Sequence, residues 1–181
     1  IISYLLHYIL FNESVQVGIL ANKGSLAREL LSRLQMSFEH LPNWLQQGIS
    51  VWNKGNIELE NGSKVMAAAT SSSAVRGSSF NVIFLDEFAH VDPPSLAEEF
   101  FDSVYPTISS GQSTKVFIVS TPNGMNKFYK MWIDAEEKRN NYIPFAINWN
   151  DVPGRDEAWK KQTIDNTSER QWRQEFECEF L

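Results

Sequence analysis

Val82-Ile83-Phe84-Leu85-Asp86-Glu87 is a run of four apolar residues followed at once by two carboxylates. A continuous apolar run of this length suits a strand buried on both faces of a parallel sheet, where no face is left to water and no alternation is needed. In an open sheet of that kind ligands sit just beyond the carboxyl ends of the strands, so Asp86 and Glu87 would emerge at the working edge. Their chemistry differs. A strand-end Asp can hold the Mg²⁺ that bridges the terminal phosphates of ATP, while the adjacent Glu can orient and polarise an attacking water. The same six residues also fit a plain buried strand that ends in solvated acids.

Working outward, Ile1 to Phe11 has helical spacing at Leu5, Leu6, Ile9 and Leu10, and Val15 to Ala21 reads as a short strand. Gly24-Ser25 opens an amphipathic helix with Leu26, Leu30, Leu34 and Phe38 along one stripe, ending near Pro42. Ile57 to Leu59 and Lys64 to Ala69 form a hairpin across an Asn61-Gly62 turn. Thr70 to Ser73 leads into Ala74-Val75-Arg76-Gly77, a loop by composition. Downstream, Asp92-Pro93-Pro94-Ser95 starts a helix through about Tyr105, and Lys115 to Ser120 is expected to be the next buried strand. Thr121-Pro122-Asn123-Gly124 then turns the chain into a helix carrying Phe128, Met131 and Trp132. Tyr142 to Trp149 alternates as a strand does, and two polar helices follow, at about Asp156 to Asp165 and Ser168 to Glu179. Strands alternating with helices predict a three-layer α/β domain with a mainly parallel sheet.

Composition narrows the class. The 181 residues carry 16 basic and 22 acidic side chains and are 43% hydrophobic, the balance of one soluble globular domain and not of a disordered chain. The apolar opening is broken by Ser3 and His7 and is too short to span a membrane, and it lacks the flanks of a signal peptide. A lone Cys178 forms no internal disulfide, which points to a reducing compartment, and one Cys with His7, His40 and His90 offers no zinc-ligand spacing. The net charge of −6 excludes a passive DNA-coating protein and leaves room for a motor that grips DNA locally. The run starting at Ile1 and the run ending in Phe176, Phe180 and Leu181 lack start and stop signals, so a piece of a longer protein is expected.

Two further features bear on chemistry. The run Val116 to Val119 ends in Ser120-Thr121-Pro122, on what should be the strand adjoining Asp86. Hydroxyls there can sense a γ-phosphate and pass on its loss, or can simply cap the following helix. Arg76 stands in a Ser/Gly-rich loop 11 residues before Glu87. Such an Arg can reach a phosphate of its own or a neighbouring subunit, or can be a solvated surface cation. No G-x-x-x-x-G-K-[ST] occurs, and Gly24-Ser25 lacks the Lys of a phosphate cradle, so a P-loop, if there is one, is expected upstream of Ile1.

Together these segments resemble the ATPase domain of the large terminase subunit of tailed phages, nearest the myovirus type. The matching residues are Gly18 to Ser25, Trp52-Asn53-Lys54-Gly55, Ala74 to Phe80, Asp86-Glu87, Ser120 to Gly124 and Gln171 to Phe176, in order along nearly the whole chain. The resemblance implies a RecA-like P-loop NTPase core lacking its N-terminal P-loop segment, so that residues 1–181 are a partial ATPase domain. It makes Asp86 the Mg²⁺-associated Walker B aspartate, Glu87 the catalytic glutamate, Ser120 and Thr121 the coupling motif, and Arg76 a trans-acting arginine finger. ATP and Mg²⁺ follow as cofactors. Double-stranded viral DNA, the portal protein, the small terminase subunit and further copies in a ring on the procapsid follow as partners, in the host cytoplasm and away from membranes. Two departures are the absent Walker A segment and the absent nuclease domain, so the chain by itself is expected to be inactive. A DExx helicase core and a non-catalytic α/β scaffold are the alternatives; the former usually carries His or Asp where this chain has Ala89. Lys23, Lys54 and Lys64 are either DNA contacts or solvated lysines.

Overall fold

The computed structural model describes residues 1–71, 79–110 and 114–181, with the backbone alone for 105–110. They divide into two units, Ile1–Val119 and Ser120–Leu181.

In the first unit, helix α1 (Ile2–Phe11) buries Leu5, Leu6, Ile9 and Leu10, the four residues its spacing singled out. Strand β1 (Gln16–Ala21) follows, then helix α2 (Gly24–Glu39), strands β2 (Ile49–Trp52), β3 (Asn56–Leu59), β4 (Lys64–Ala69) and β5 (Val82–Asp86), a 3-10 turn at Phe88–His90, helix α3 (Pro94–Ser110) and strand β6 (Lys115–Ile118). The sheet order is β2-β3-β4-β1-β5-β6. Strands β4, β1, β5 and β6 run parallel, and β2, β3 and β4 are antiparallel neighbours. The predicted three-layer α/β arrangement is therefore present.

Burial explains the sequence pattern strand by strand. Central β1 and β5 are buried almost throughout, and their sequences are correspondingly apolar without alternation. On one face Val17, Ile19, Val65, Val82 and Phe84 share a core with the buried stripes of α1 and α2. Leu20, Ile83 and Leu85, the alternate residues, belong to the other face and are also buried, as are Ala97, Phe100, Phe101 and Val104 of α3. The α2 stripe is Ala27, Leu30, Leu31, Leu34 and Phe38, one position displaced from the expected start at Leu26. Among the described residues strand β6 lies at the sheet edge and is half-buried, so the fully buried strand expected there is corrected: a strand with one neighbour keeps one side open. Strand β2 leaves no sequence signal, because four residues with two exposed carry too little alternation. The predicted hairpin joins β3 to β4, with Gly62 at φ +82°, a conformation that Gly adopts without steric cost. Asn61 Nδ2 donates to Ile9 O at 2.8 Å and Ser63 Oγ to Asn12 O at 2.7 Å, fastening this turn to the end of α1.

The second unit carries helices α4 (Lys127–Glu136), α5 (Glu157–Asn166) and α6 (Glu169–Glu175), each opened by a side-chain cap, from Asn126, Asp156 and Ser168 respectively. Trp172 is fully buried and packs with Trp149, Trp159 and Phe176. Helix α6 ends four residues before the expected Glu179, as the chain leaves helical geometry and reaches φ +56° at Cys178. The strand expected at Tyr142 to Trp149 is not formed. Ile143, Phe145 and Ile147 alternate as a strand face would, yet they are 92%, 79% and 59% exposed. A strand also needs a ladder partner, and none pairs with this segment among the described residues.

The capping geometry yields a direct expectation. Asn126 Oδ1 accepts from the amides of Phe128 and Tyr129, so Asn126→Ala should cost about 1 kcal/mol of stability. Urea unfolding followed by tryptophan fluorescence measures the loss, and an Asn126→Ala variant as stable as the parent would contradict the assignment of the cap.

Candidate functional site

Parallel pairing places Ala21 of β1 opposite Asp86 of β5 and Leu85 opposite Ile118 of β6. The carboxyl ends of these strands therefore meet at one edge of the first unit, where the Asn22-Lys23 turn leads into α2. Asp86 is half-buried there. Desolvation raises its carboxyl above the ordinary value, opposed by a hydrogen bond from the Glu87 amide and by the positive field of Arg33.

Glu87 holds the left-handed conformation, φ +50° and ψ +41°, and is the residue on which the 3-10 turn Phe88–His90 starts. For a residue with a Cβ this costs on the order of 1–2 kcal/mol, and such strain persists only where surrounding structure imposes it. Here the imposing contacts are identifiable. Phe88 is buried with its ring edge-on to Phe101, Ala89 is buried beside it, and the His90 amide donates back to Glu87 O at 2.9 Å. The Phe88 amide donates to Val119 O at 3.3 Å, and the Val119 amide to Leu85 O at 2.9 Å, which stitches the turn to the strand beside it. The result is a carboxylate presented at the sheet edge, with its side chain 38% exposed and its Oε2 3.7 Å from His90 Nε2.

Asp86 thus ends β5 and Glu87 follows it directly, at the carboxyl edge of the sheet. Ser120 and Thr121 open the second unit, where Ser120 Oγ donates to Thr121 O at 2.8 Å. Neither caps α4, a role taken by Asn126, so the capping alternative is removed. Arg76 lies outside the described residues. Lys64 pairs with Glu58 at 3.1 Å, Lys23 is the residue before α2, and Lys54 occupies the turn between β2 and β3. Sequence reasoning missed Asn22 and His90. Asn22 Nδ2 donates to His90 O at 3.5 Å, and its buried Oδ1 has no partner among the described residues. Only the strand register, which sets the residue after Ala21 near the residues after Asp86, reveals that they meet.

Among the described residues no group of three or more His, Cys, Asp or Glu could enclose a metal ion. A single strand-end carboxylate suits Mg²⁺, which keeps most of its waters and takes phosphate oxygens with one or two protein ligands. Asp86 fits that need, and the cost of burying its charge is one that a cation would offset.

The family described as terminase large subunit, T4-like virus type, N-terminal, matches residues 3–181. Among solved structures, the large terminase ATPase domain of Thermus phage P74-26 shares 18% identity at a TM-score of 0.72, over 98% of this chain and 81% of that one. The large terminase of bacteriophage HK97 shares 15% identity at a TM-score of 0.75, over 99% of this chain and 43% of its own. The large terminase of a thermophilic bacteriophage, solved with ATP-gamma-S, shares 12% at 0.72, again over 99% of this chain and 43% of its own. The chain thus spans most of an isolated ATPase domain and less than half of these large terminases. At such identities the likeness establishes the RecA-like fold.

Two measurements test the electrostatics and strain of this edge. An acid with a raised folded pKa holds its proton more tightly folded than unfolded. Folding therefore weakens as pH climbs from the ordinary 3.8 through the raised value, and stays weakened above it. Asp86→Asn should melt above the parent at pH 7, with the gap closing as pH falls below the ordinary aspartate range; a parent that melts higher at pH 7 contradicts the burial cost. At position 87, Gly should be more stable than Ala by about 1 kcal/mol, the reverse of the usual ranking, because only Gly is free of the left-handed penalty. Thermal melts of Glu87→Gly and Glu87→Ala decide it.

Proposed function

This chain belongs to the family of T4-like large terminase subunits, matching its N-terminal part, and from that premise we propose that it is part of the ATP-hydrolysing motor that drives double-stranded viral DNA into the procapsid. The observation that carries the reading is the Asp86-Glu87 pair, set at the end of a central parallel strand with Glu87 held in a strained backbone conformation. The ATP-gamma-S complex of a large terminase with the same fold supports a nucleotide as the ligand. Family membership favours this reading over a helicase core or a scaffold.

Asp86 is the residue that would hold Mg²⁺ against the nucleotide, and the ion's contribution is to neutralise charge on the terminal phosphates. Glu87 orients the attacking water and receives its proton, a task that suits a carboxylate at the sheet edge whose backbone cannot drift. Ser120 and Thr121 relay loss of the phosphate to the following segment, and Arg76 completes the site of a neighbouring subunit in a ring. The same reading gives the chain the portal protein and the small terminase subunit as partners, in the host cytoplasm. No helix among the described residues is long and apolar enough to cross a membrane. A G-x-x-x-x-G-K-[ST] phosphate cradle does not occur in these residues, so the tests use a large-subunit chain that contains them together with one.

In that protein Glu87→Gln should leave nucleotide binding intact and lower hydrolysis by about 10³ or more, with Arg76→Ala causing a loss on the same order. Mixing the two variants in one ring should restore part of the ATPase rate, because some interfaces then pair an intact Glu87 with an intact Arg76. Near-parental hydrolysis by Glu87→Gln would show that the base is misassigned. Mixed rings that form and stay inactive would refute action across subunits.

A further inference from the structure

We propose that Asn22 binds the water that attacks the terminal phosphate, its Oδ1 accepting one of that water's hydrogen bonds while Glu87 accepts the other; this rests on the reading of Glu87 as the water-activating base. Asn22 is the first residue beyond β1, and its amide has two unlike ends. Nδ2 donates to His90 O at 3.5 Å, across 68 residues of sequence. With the amide turned in this way, Oδ1 is left as an acceptor and nothing else. It is buried and has no donor among the described residues. An acceptor in that position weakens the fold, and an apolar side chain of the same shape would serve packing better. Asn at position 22 therefore calls for a donor that arrives with the ligand.

Chemistry and position narrow that donor. Ionised phosphate oxygens accept hydrogen bonds and give none, so what donates beside them is water. Alternation sets Ala21 and Asp86 on the face of the sheet where Val17, Ile19, Val82 and Phe84 meet α1 and α2, and it is Arg33 of α2 whose field acts on the Asp86 carboxyl. Asn22 is tied instead to the 3-10 turn that starts on Glu87. Its water therefore belongs with Glu87 and not with an ion held by Asp86. A water that gives one hydrogen bond to a carboxylate still turns about that bond. A second acceptor stops the turning and fixes the lone pair that must face phosphorus. A neutral amide oxygen does this without setting a third negative charge beside Asp86 and Glu87.

The test follows ATP hydrolysis and thermal melting in an active large-subunit chain containing these residues. Asn22→Leu, similar in shape and without an acceptor, should lower kcat by about 10-fold or more, because loss of orientation costs one to two orders of magnitude. The KM for ATP and the Mg²⁺ concentration giving half the maximal rate should stay unchanged, and the variant should melt no lower than the parent. Asn22→Asp keeps an acceptor and loses the donor to His90 O, so it should melt below the parent. Assayed above about pH 8, where carboxylates are ionised, it should nevertheless keep more of kcat than Asn22→Leu. Rate and stability that rank these two variants in opposite order are the expected result. Parental kcat in Asn22→Leu overturns the proposal. A loss of kcat that tracks melting temperature in both variants also overturns it, since Asn22 would then be only a structural tie to the turn. A raised Mg²⁺ requirement overturns it as well, by placing the water on the ion. Asn22→Ala, which also lacks an acceptor, takes the place of Asn22→Leu in the rate comparison if the latter does not fold. If Glu87→Gln is active in the same assay, the reading of the base fails first; if it is inactive while Asn22→Leu keeps parental kcat, only the role of Asn22 fails.

Discussion

The parallel ladder through β4, β1, β5 and β6 is the constraint on which everything at the candidate site depends. Strands buried on both faces have no water for their backbone groups, so each must pair with its neighbours, and the pairing sets the register. With Val17 opposite Val82 and Ala21 opposite Asp86, the residues that follow, Asn22 and Glu87, have no choice of which edge they reach. A one-residue slip would reverse which side chains face α1 and α2 and which face the other layer. The apolar run Val82 to Leu85 is therefore both the core of the unit and the ruler that locates its polar residues.

That edge is where the fold spends stability. Asp86 is partly removed from water, which works against its charge, and Glu87 adopts a conformation that a side-chain-bearing residue avoids. Both costs are carried by the surrounding core: Phe88 against Phe101, the buried Ala89, and the central strands. A sequence optimised only for folding would place Asn at 86 and Gly at 87. Two adjacent departures in the unfavourable direction, at the end of a well-packed strand, are difficult to account for by packing.

Much of this could be read before any coordinates, because the relevant signals are local. The spacing of Leu5, Leu6, Ile9 and Leu10, the Asn61-Gly62 turn, and the apolar run ending in Asp86-Glu87 each reflect one element meeting its own physical requirement. What could not be read depends on relations between elements. The exposed edge of β6 follows from strand order, which composition does not encode. The alternation of Ile143, Phe145 and Ile147 satisfied the pattern of a strand, but a ladder needs a partner that a local pattern cannot supply. The meeting of Asn22 with His90 is a matter of register across 68 residues. Ser120 and Thr121 have the residue types of a cap, but Asn126 caps α4, since a cap is identified by which oxygen faces the amides and not by residue type alone.

The stitching of β5 to β6 bears on how a signal could leave the site. Val119 is engaged at both ends of its backbone: its amide by Leu85 O, and its carbonyl by the amide of Phe88, the residue after Glu87. Its carbonyl also forms the peptide bond to Ser120, so the proposed coupling hydroxyls begin at a peptide plane that the Glu87 turn already holds. A shift of the backbone at Ser120 must then either stretch the Phe88 contact or move with it, and the latter disturbs the turn that fixes Glu87. Val119 is thereby the common partner of β5, through Leu85, and of the turn that follows it, through Phe88. The hydrogen bond from the Phe88 amide therefore ties the Glu87 turn to the last residue of the first unit.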